Sequence, residues 1–99
     1  MLDELRIYTL HPGKLEAMKE RFTRVNRVLF ARHGIEVVNI WRNPDDENTF
    51  VFLLTFPDRE TRERAWAAYH EDPDFLAQRD EQKSIIANIT LHLLAPLQV

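Results

Sequence analysis

The sequence predicts an α+β fold with the element order β-α-β-β-α-β, the ferredoxin-like pattern. Three observations carry this prediction. Four segments alternate apolar and polar residues with a period of two or read as short apolar runs, as strands do. Two amphipathic segments repeat apolar residues every three or four positions, as helices do. Only a turn cluster separates the second and third strands, so the helices fall in the two crossovers, each expected to be right-handed. Such a chain forms one four-stranded antiparallel sheet in the order 4-1-3-2, with both helices on one face and the first strand in the interior.

Each element follows from its residues. ELRIYTL within residues 3–10 alternates as the first strand, and His11-Pro12-Gly13 break it. Leu15, Met18, Phe22, Val25 and Leu29 set the apolar stripe of a helix over residues 13–33, and Gly34 is placed to end it in a left-handed cap. IEVVNIW (35–41), rich in β-branched residues, reads as the second strand, and NPDDEN (43–48) as a turn. TFVFLLTF (49–56) is a third strand, apolar on both faces. Pro57-Asp58 and Thr61 open a second helix over 58–71, Asp72-Pro73-Asp74 interrupt it, and residues 73–82 allow a short further helix. Residues 85–94 alternate again as the fourth strand.

Composition sets the boundaries. Ninety-nine residues make a single domain spanning 1–99, and a chain of this length buries only a modest share of its surface, so a second copy could add stability. With no cysteine, there are no disulfides, thiolate nucleophiles or Cys-ligated metal sites. The net charge of −3 gives no general attraction for nucleic acid or anionic lipid. No apolar run reaches the roughly 18 residues of a membrane span. The start MLDELR is acidic and alternating, unlike a signal or transit peptide, so a cytoplasmic protein is expected.

Parity divides each strand into two faces. One set, Leu5 and Ile7, Val38 and Ile40, Phe50, Phe52, Leu54 and Phe56, and Ile89, Leu91 and Leu93, is almost wholly apolar and is expected beneath the helices. The other, with Arg6, Tyr8, Val37, Asn39, Trp41, Val51, Leu53, Thr55, Asn88, Thr90 and His92, is expected on the open face. That face is too apolar for water and is expected to meet a second copy. A β-bulge would overturn the assignment for its strand.

Glu4, Leu5, Arg6, Tyr8, Pro12, Gly13 and Lys14 carry a resemblance to the opening signature of the NIPSNAP family, Leu-Arg-x-Tyr followed by Pro-Gly-Lys and a helix. The later strands, with Trp41 and the apolar 49–56 run, fit the same family. The resemblance implies a dimeric α/β barrel, in which two ferredoxin-like subunits join through their sheets. It implies no settled chemistry. The wider superfamily holds cofactor-independent monooxygenases, lactone isomerases and haem-degrading enzymes on the same architecture, and fold alone does not choose among them.

Arg6 and Tyr8 are the first candidate pair: Arg to hold a carboxylate or enolate, Tyr to donate a hydrogen bond or stack. Their alternative use is an inter-subunit salt bridge and interface packing. Asn39 and Trp41 suggest a stacking platform beside an orienting amide, or a Trp anchor in a dimer contact. His92 is the candidate catalytic base or a haem ligand, expected near Arg6 or Tyr8, or else a hydrogen-bonded strand residue. Phe22, Phe52, Trp66 and Tyr69 would line a pocket lying between helices and sheet instead. Adjacent helical residues diverge, so His70-Glu71-Asp72 makes no metal site, and no cofactor is implied. The expectation is a homodimer binding a small hydrophobic or aromatic molecule. The alternatives are a monooxygenase- or isomerase-like enzyme and a purely structural assembly domain. An RNA-binding sheet of the RRM type is disfavoured, because strand three lacks the Lys/Arg-Gly start of its RNA-contacting motif.

Overall fold

The computed structural model describes residues 1–99. Strand β1 (Leu2–Leu10) leads through Gly13, at φ +78°, into helix α1 (Leu15–Arg21), a π-helical segment (Phe22–Asn26) and helix α2 (Arg27–Arg32). Strands β2 (Glu36–Asn43) and β3 (Asp46–Phe56) form a hairpin. Helices α3 (Arg59–Glu71), α4 (Pro73–Ala77) and α5 (Arg79–Ile85) return the chain to strand β4 (Ile86–Leu94). The sheet order is β2-β3-β1-β4, with all pairings antiparallel, which is the predicted 4-1-3-2.

The element ends follow their sequence signals. Gly34 adopts φ +73° after α2, where a side chain would be strained, and Ile35 N–H returns to Phe30 O at 2.8 Å. Asp58 caps α3 by accepting Thr61 N–H at 2.7 Å. The π-helical segment was not expected from periodicity. Its wider turn suits residues five apart: buried Arg21 donates from Nη1 to Asn26 Oδ1 at 2.9 Å, and both side chains face inward.

The faces of β1 are the reverse of the expectation. Arg6 stands opposite Phe52, Tyr8 opposite Phe50 and Glu4 opposite Leu54, so all three lie beneath the helices with the apolar row of β3. Leu5 and Ile7 oppose Leu53 and Val51 on the open face. In β2 a bulge follows Val37, which opposes Leu54 on the covered side, while Val38 is exposed. Ile40, and all four of Phe50, Phe52, Leu54 and Phe56, lie where they were expected.

The core is aromatic. Phe52 is fully enclosed, with Tyr8 and Phe22 rings both 5.1 Å away and Phe30 at 6.0 Å. Trp66 and Tyr69 of α3 extend the cluster through Phe30, at 5.8 and 5.4 Å.

Asp72 fastens the second crossover to the first. Its carboxylate accepts His33 Nε2 at 2.7 Å, Arg32 Nη1 at 3.0 Å and the backbone N–H of Asp74 at 2.9 Å, which caps α4. The hydrogen bond from His33 leads these in drawing the carboxyl down from 3.8 to about 2. A group depressed on folding stabilises above its unfolded value and loses that contribution as it is protonated. Tm should therefore fall as pH drops from 3.8 to about 2, and Asp72→Asn should flatten this part of a Tm-against-pH curve. An unchanged acid limb would remove Asp72 from the account.

Candidate functional site

The side chains of β1 beneath the helices form a charged cluster around one carboxylate. Glu4, with no exposed surface, accepts Arg6 Nε at 2.6 Å on Oε2, and Arg62 Nε at 2.6 Å and Trp66 Nε1 at 3.0 Å on Oε1. Burial alone would push the Glu4 carboxyl up; the Arg62 hydrogen bond and the Arg6 charge outweigh it and hold the group below its ordinary value. The 3.6-residue helical period places Arg62 and Trp66 one turn apart on the same side of α3, and Asp58 fixes where that helix begins.

Arg6 is the reactive-looking member. Its Cζ lies 4.1 Å from the centroid of the Trp66 ring, a cation–π stack. Only Nε is committed to a carboxylate; both Nη groups reach none. The Tyr8 phenol is fully buried beside it. Burial raises the Tyr8 pKa above 10.0, against the opposing charges of Arg6 and Arg21, so the phenol stays protonated. Burial likewise raises Tyr69, which also feels Tyr8 and Arg21. Two guanidiniums and two neutral phenols thus converge between α1, α3 and β1. His70 joins them at the rim, its ring stacked on Trp66 at 5.7 Å between centroids. Burial, with the charges of Arg6 and Arg79, lowers the His70 pKa, leaving a neutral imidazole at pH 7.

On the same face Leu91 opposes Arg6 and Ile89 opposes Tyr8 across β1 and β4. Both are exposed, because the helices cover β1 and β3 but stop short of this edge strand. The cluster is therefore flanked by an uncovered apolar strip.

The expected site residues divide between the two faces. Arg6 and Tyr8 join the residues considered for a helix-side pocket, Trp66, Tyr69, Phe22 and Phe52. Asn39, Trp41 and His92 lie elsewhere. His92 opposes Leu5 on the open face, so the sheet separates it from Arg6 and Tyr8, contrary to the expected proximity. Trp41 opposes Val51 on that open face and is 43% exposed. The Asn39 amide is occupied: its Oδ1 accepts Ile40 N–H at 2.8 Å.

Glu4, Arg21, Arg62 and His70 were not among the expected site residues. Glu4 carried a usable signal, since parity places it on the same face as Arg6. Arg21 carried a weaker one: it lies three residues after Met18 and four before Val25, on the flank of the apolar stripe, although KERFTR as a run reads as a solvated helical surface. No group of three or more acidic or histidine side chains is placed to hold a metal ion, and no helix is long and apolar enough to cross a membrane.

A four-stranded antiparallel sheet with its helices on one face and a charged cluster between the layers defines an α+β, ferredoxin-like protein. The chain belongs to the NIPSNAP family, whose model matches residues 3–99. No curated protein matches the sequence. Among solved structures it is similar to an uncharacterised NIPSNAP domain protein from Burkholderia xenovorans, with TM-score 0.88 at 18% identity over 98% of this chain and 95% of the other. A protein from Agrobacterium tumefaciens superposes with TM-score 0.89 at 20% identity over 99% and 95%. SnoaB, a cofactor-independent oxygenase from Streptomyces nogalater, superposes with TM-score 0.74 at 22% identity over 99% and 94%. At these identities the likeness is one of fold.

Proposed function

We propose that this NIPSNAP-family protein works as a homodimer joined through the open faces of its sheets, and that each subunit binds a small aromatic or hydrophobic anion against Arg6. The observation that carries the ligand reading is the state of Arg6. One nitrogen is anchored to Glu4, the guanidinium plane is stacked on Trp66, and both Nη groups remain uncommitted to any carboxylate. That is a pre-oriented donor pair for a carboxylate or enolate. Ile89 and Leu91 supply the apolar surface along which a ring would enter. Support for the dimer comes from the opposite face, where Leu5, Ile7, Val51 and Leu53 form an apolar centre beside Trp41.

A second reading, an enzyme resembling the cofactor-independent monooxygenases and isomerases, is favoured by His70. Its neutral imidazole beside Arg6 could accept a proton from an acidic phenol or enol while Arg6 holds the resulting anion. The fold likeness to SnoaB adds a weak analogy only.

The test uses tryptophan fluorescence in a Trp41→Phe background, so that Trp66 alone reports. Titration with hydroxynaphthoates and related aromatic acids should give saturable quenching, and Arg6→Gln should weaken it at least tenfold, about 1.4 kcal/mol. Absence of saturable quenching, or equal affinity in a folded Arg6→Gln protein, would sink the ligand reading.

A further inference from the structure

A groove runs between α1 and the edge strand β2, and neither Arg6 nor Glu4, Arg62 or Trp66 lines it. Its wider part, about 420 Å³, is lined by Leu15, Glu16, Lys19 and Ile40, with Trp41, Arg42 and Phe50 completing it. A second hollow of about 180 Å³ shares Lys19, Ile40 and Phe50 and continues to Phe22, Thr23 and Arg27. The floor is apolar and the rim is basic. Arg27 and Arg42 pair with no carboxylate, Lys19 is matched only by exposed Glu16 at 3.2 Å, and the Arg27 guanidinium lies 5.6 Å from the Phe22 ring. This excess of cations stands on a chain whose net charge is −3. From Glu16 to Arg27 the helix rises about 16 Å, enough for a linear chain of medium length.

An edge strand beside an apolar groove also invites an added peptide strand. Asn39 works against that occupant. Its side-chain oxygen occupies Ile40 N–H, and the bulge between Val37 and Asn39 bends the edge, both of which blunt strand pairing. What remains is apolar contact plus unpaired cations.

We propose that this groove is a second binding site, for a medium-chain carboxylate, with its tail on Ile40 and Phe50 and its head group at Arg27 or Arg42. It is independent of the Arg6 site. The carboxylate would stay ionised at neutral pH, and neutralising otherwise unpaired cations favours it over an uncharged chain of equal length.

The experiment is an amide NMR titration of the whole protein with decanoate, below its aggregation concentration and at low salt, with decanol as the uncharged control. Saturable shifts at Leu15, Lys19, Ile40 and Phe50 are expected, with decanol binding at least tenfold more weakly. An Arg27→Gln/Arg42→Gln protein, whose exposed substitutions leave the core intact, should lose at least tenfold in decanoate affinity, and Arg6→Gln should lose none. Shifts centred on Tyr8 and Trp66, equal affinity for decanol, or an unaffected double variant would each overturn the proposal. Decanoate binding that survives in Arg6→Gln would stand even if the Arg6 reading failed.

Discussion

Glu4→Ala is expected to lower stability by about 3–5 kcal/mol, because it strands two guanidiniums at the sheet–helix boundary without their shared carboxylate. In a domain of this size that is a fall in Tm of roughly 12 °C or more. The size of the effect comes from asymmetry. The intact cluster has already met the desolvation cost of its charges, whereas removing Glu4 leaves Arg6 with no carboxylate and Arg62 with only the exposed Glu63, at 2.8 Å, while their side chains are just 12% and 13% exposed. The Trp66 indole N–H loses its acceptor at the same time. Arg64→Ala, which breaks an exposed pair with Glu60 on the outer side of the same helix, should leave Tm unchanged within error. Thermal and urea denaturation followed by circular dichroism would measure both. A loss below about 1 kcal/mol for Glu4→Ala would mean that the cluster is solvated in the protein. If Glu4 acts only through this network, Glu4→Leu with Arg6→Met and Arg62→Met should recover much of the loss, since apolar replacement of a whole buried ionic group is often neutral or better. That triple variant should still lose the aromatic ligand, which separates the two tasks of Arg6.

The same residues explain how far the sequence could be read. Element order and sheet topology were legible because alternation and helical stripes are local signals, and β3 has only one set of side chains that is wholly phenylalanine and leucine. The faces of β1 were not legible. Parity sorts Glu4, Arg6 and Tyr8 from Leu5 and Ile7, yet it cannot say which set goes inward. Polarity then pointed the wrong way, because the two charges of β1, Glu4 and Arg6, are paired inside. Their partner Arg62 lies 58 positions from Glu4, within what reads as a solvated charge run. The displaced Val37 and Val38 mark a bulge that no composition rule announces. Arg21 was passed over for its charge: it lies three residues after Met18 and four before Val25, on the flank of the apolar stripe, and the π segment that follows brings Asn26 to it. So the motif put Arg6 and Tyr8 side by side on one face, but it did not announce the residues that surround them there. His92 stands on the open face, opposite Leu5, whereas His70 stands on the side of Arg6 and Tyr8, in the layer beneath the helices.

The inverted strand also strengthens the case for the open face as a contact surface. With Arg6 and Tyr8 removed from it, its centre consists of Leu5, Ile7, Val51 and Leu53, and no charged side chain interrupts that patch. Two such sheets can stack about 10 Å apart with their side chains interdigitated. Leu53→Asp should therefore convert a dimer to a monomer. In a two-fold contact each substitution is met twice, and the two new carboxylates would be enclosed with no arginine or lysine on either face. A cost of at least about 3 kcal/mol corresponds to a dissociation constant raised more than a hundredfold. In an isolated subunit the same position is only partly covered, so the aspartate can reach water and the fold should survive. Val28→Asp, on the exposed side of α2, is the matched control and should leave the assembly intact. Sedimentation velocity over a range of concentrations distinguishes the outcomes. A wild-type protein that is monomeric throughout would remove the dimer, and a Leu53→Asp protein that remains dimeric would move the contact to another surface. The dimer and the Arg6 site can also be tested against each other. They occupy opposite faces of the sheet, so a monomeric Leu53→Asp protein that still quenches Trp66 fluorescence with aromatic acids would place the whole ligand site within one subunit. Loss of binding on dissociation would instead mean that the uncovered strip at Ile89 and Leu91 is completed by the second chain.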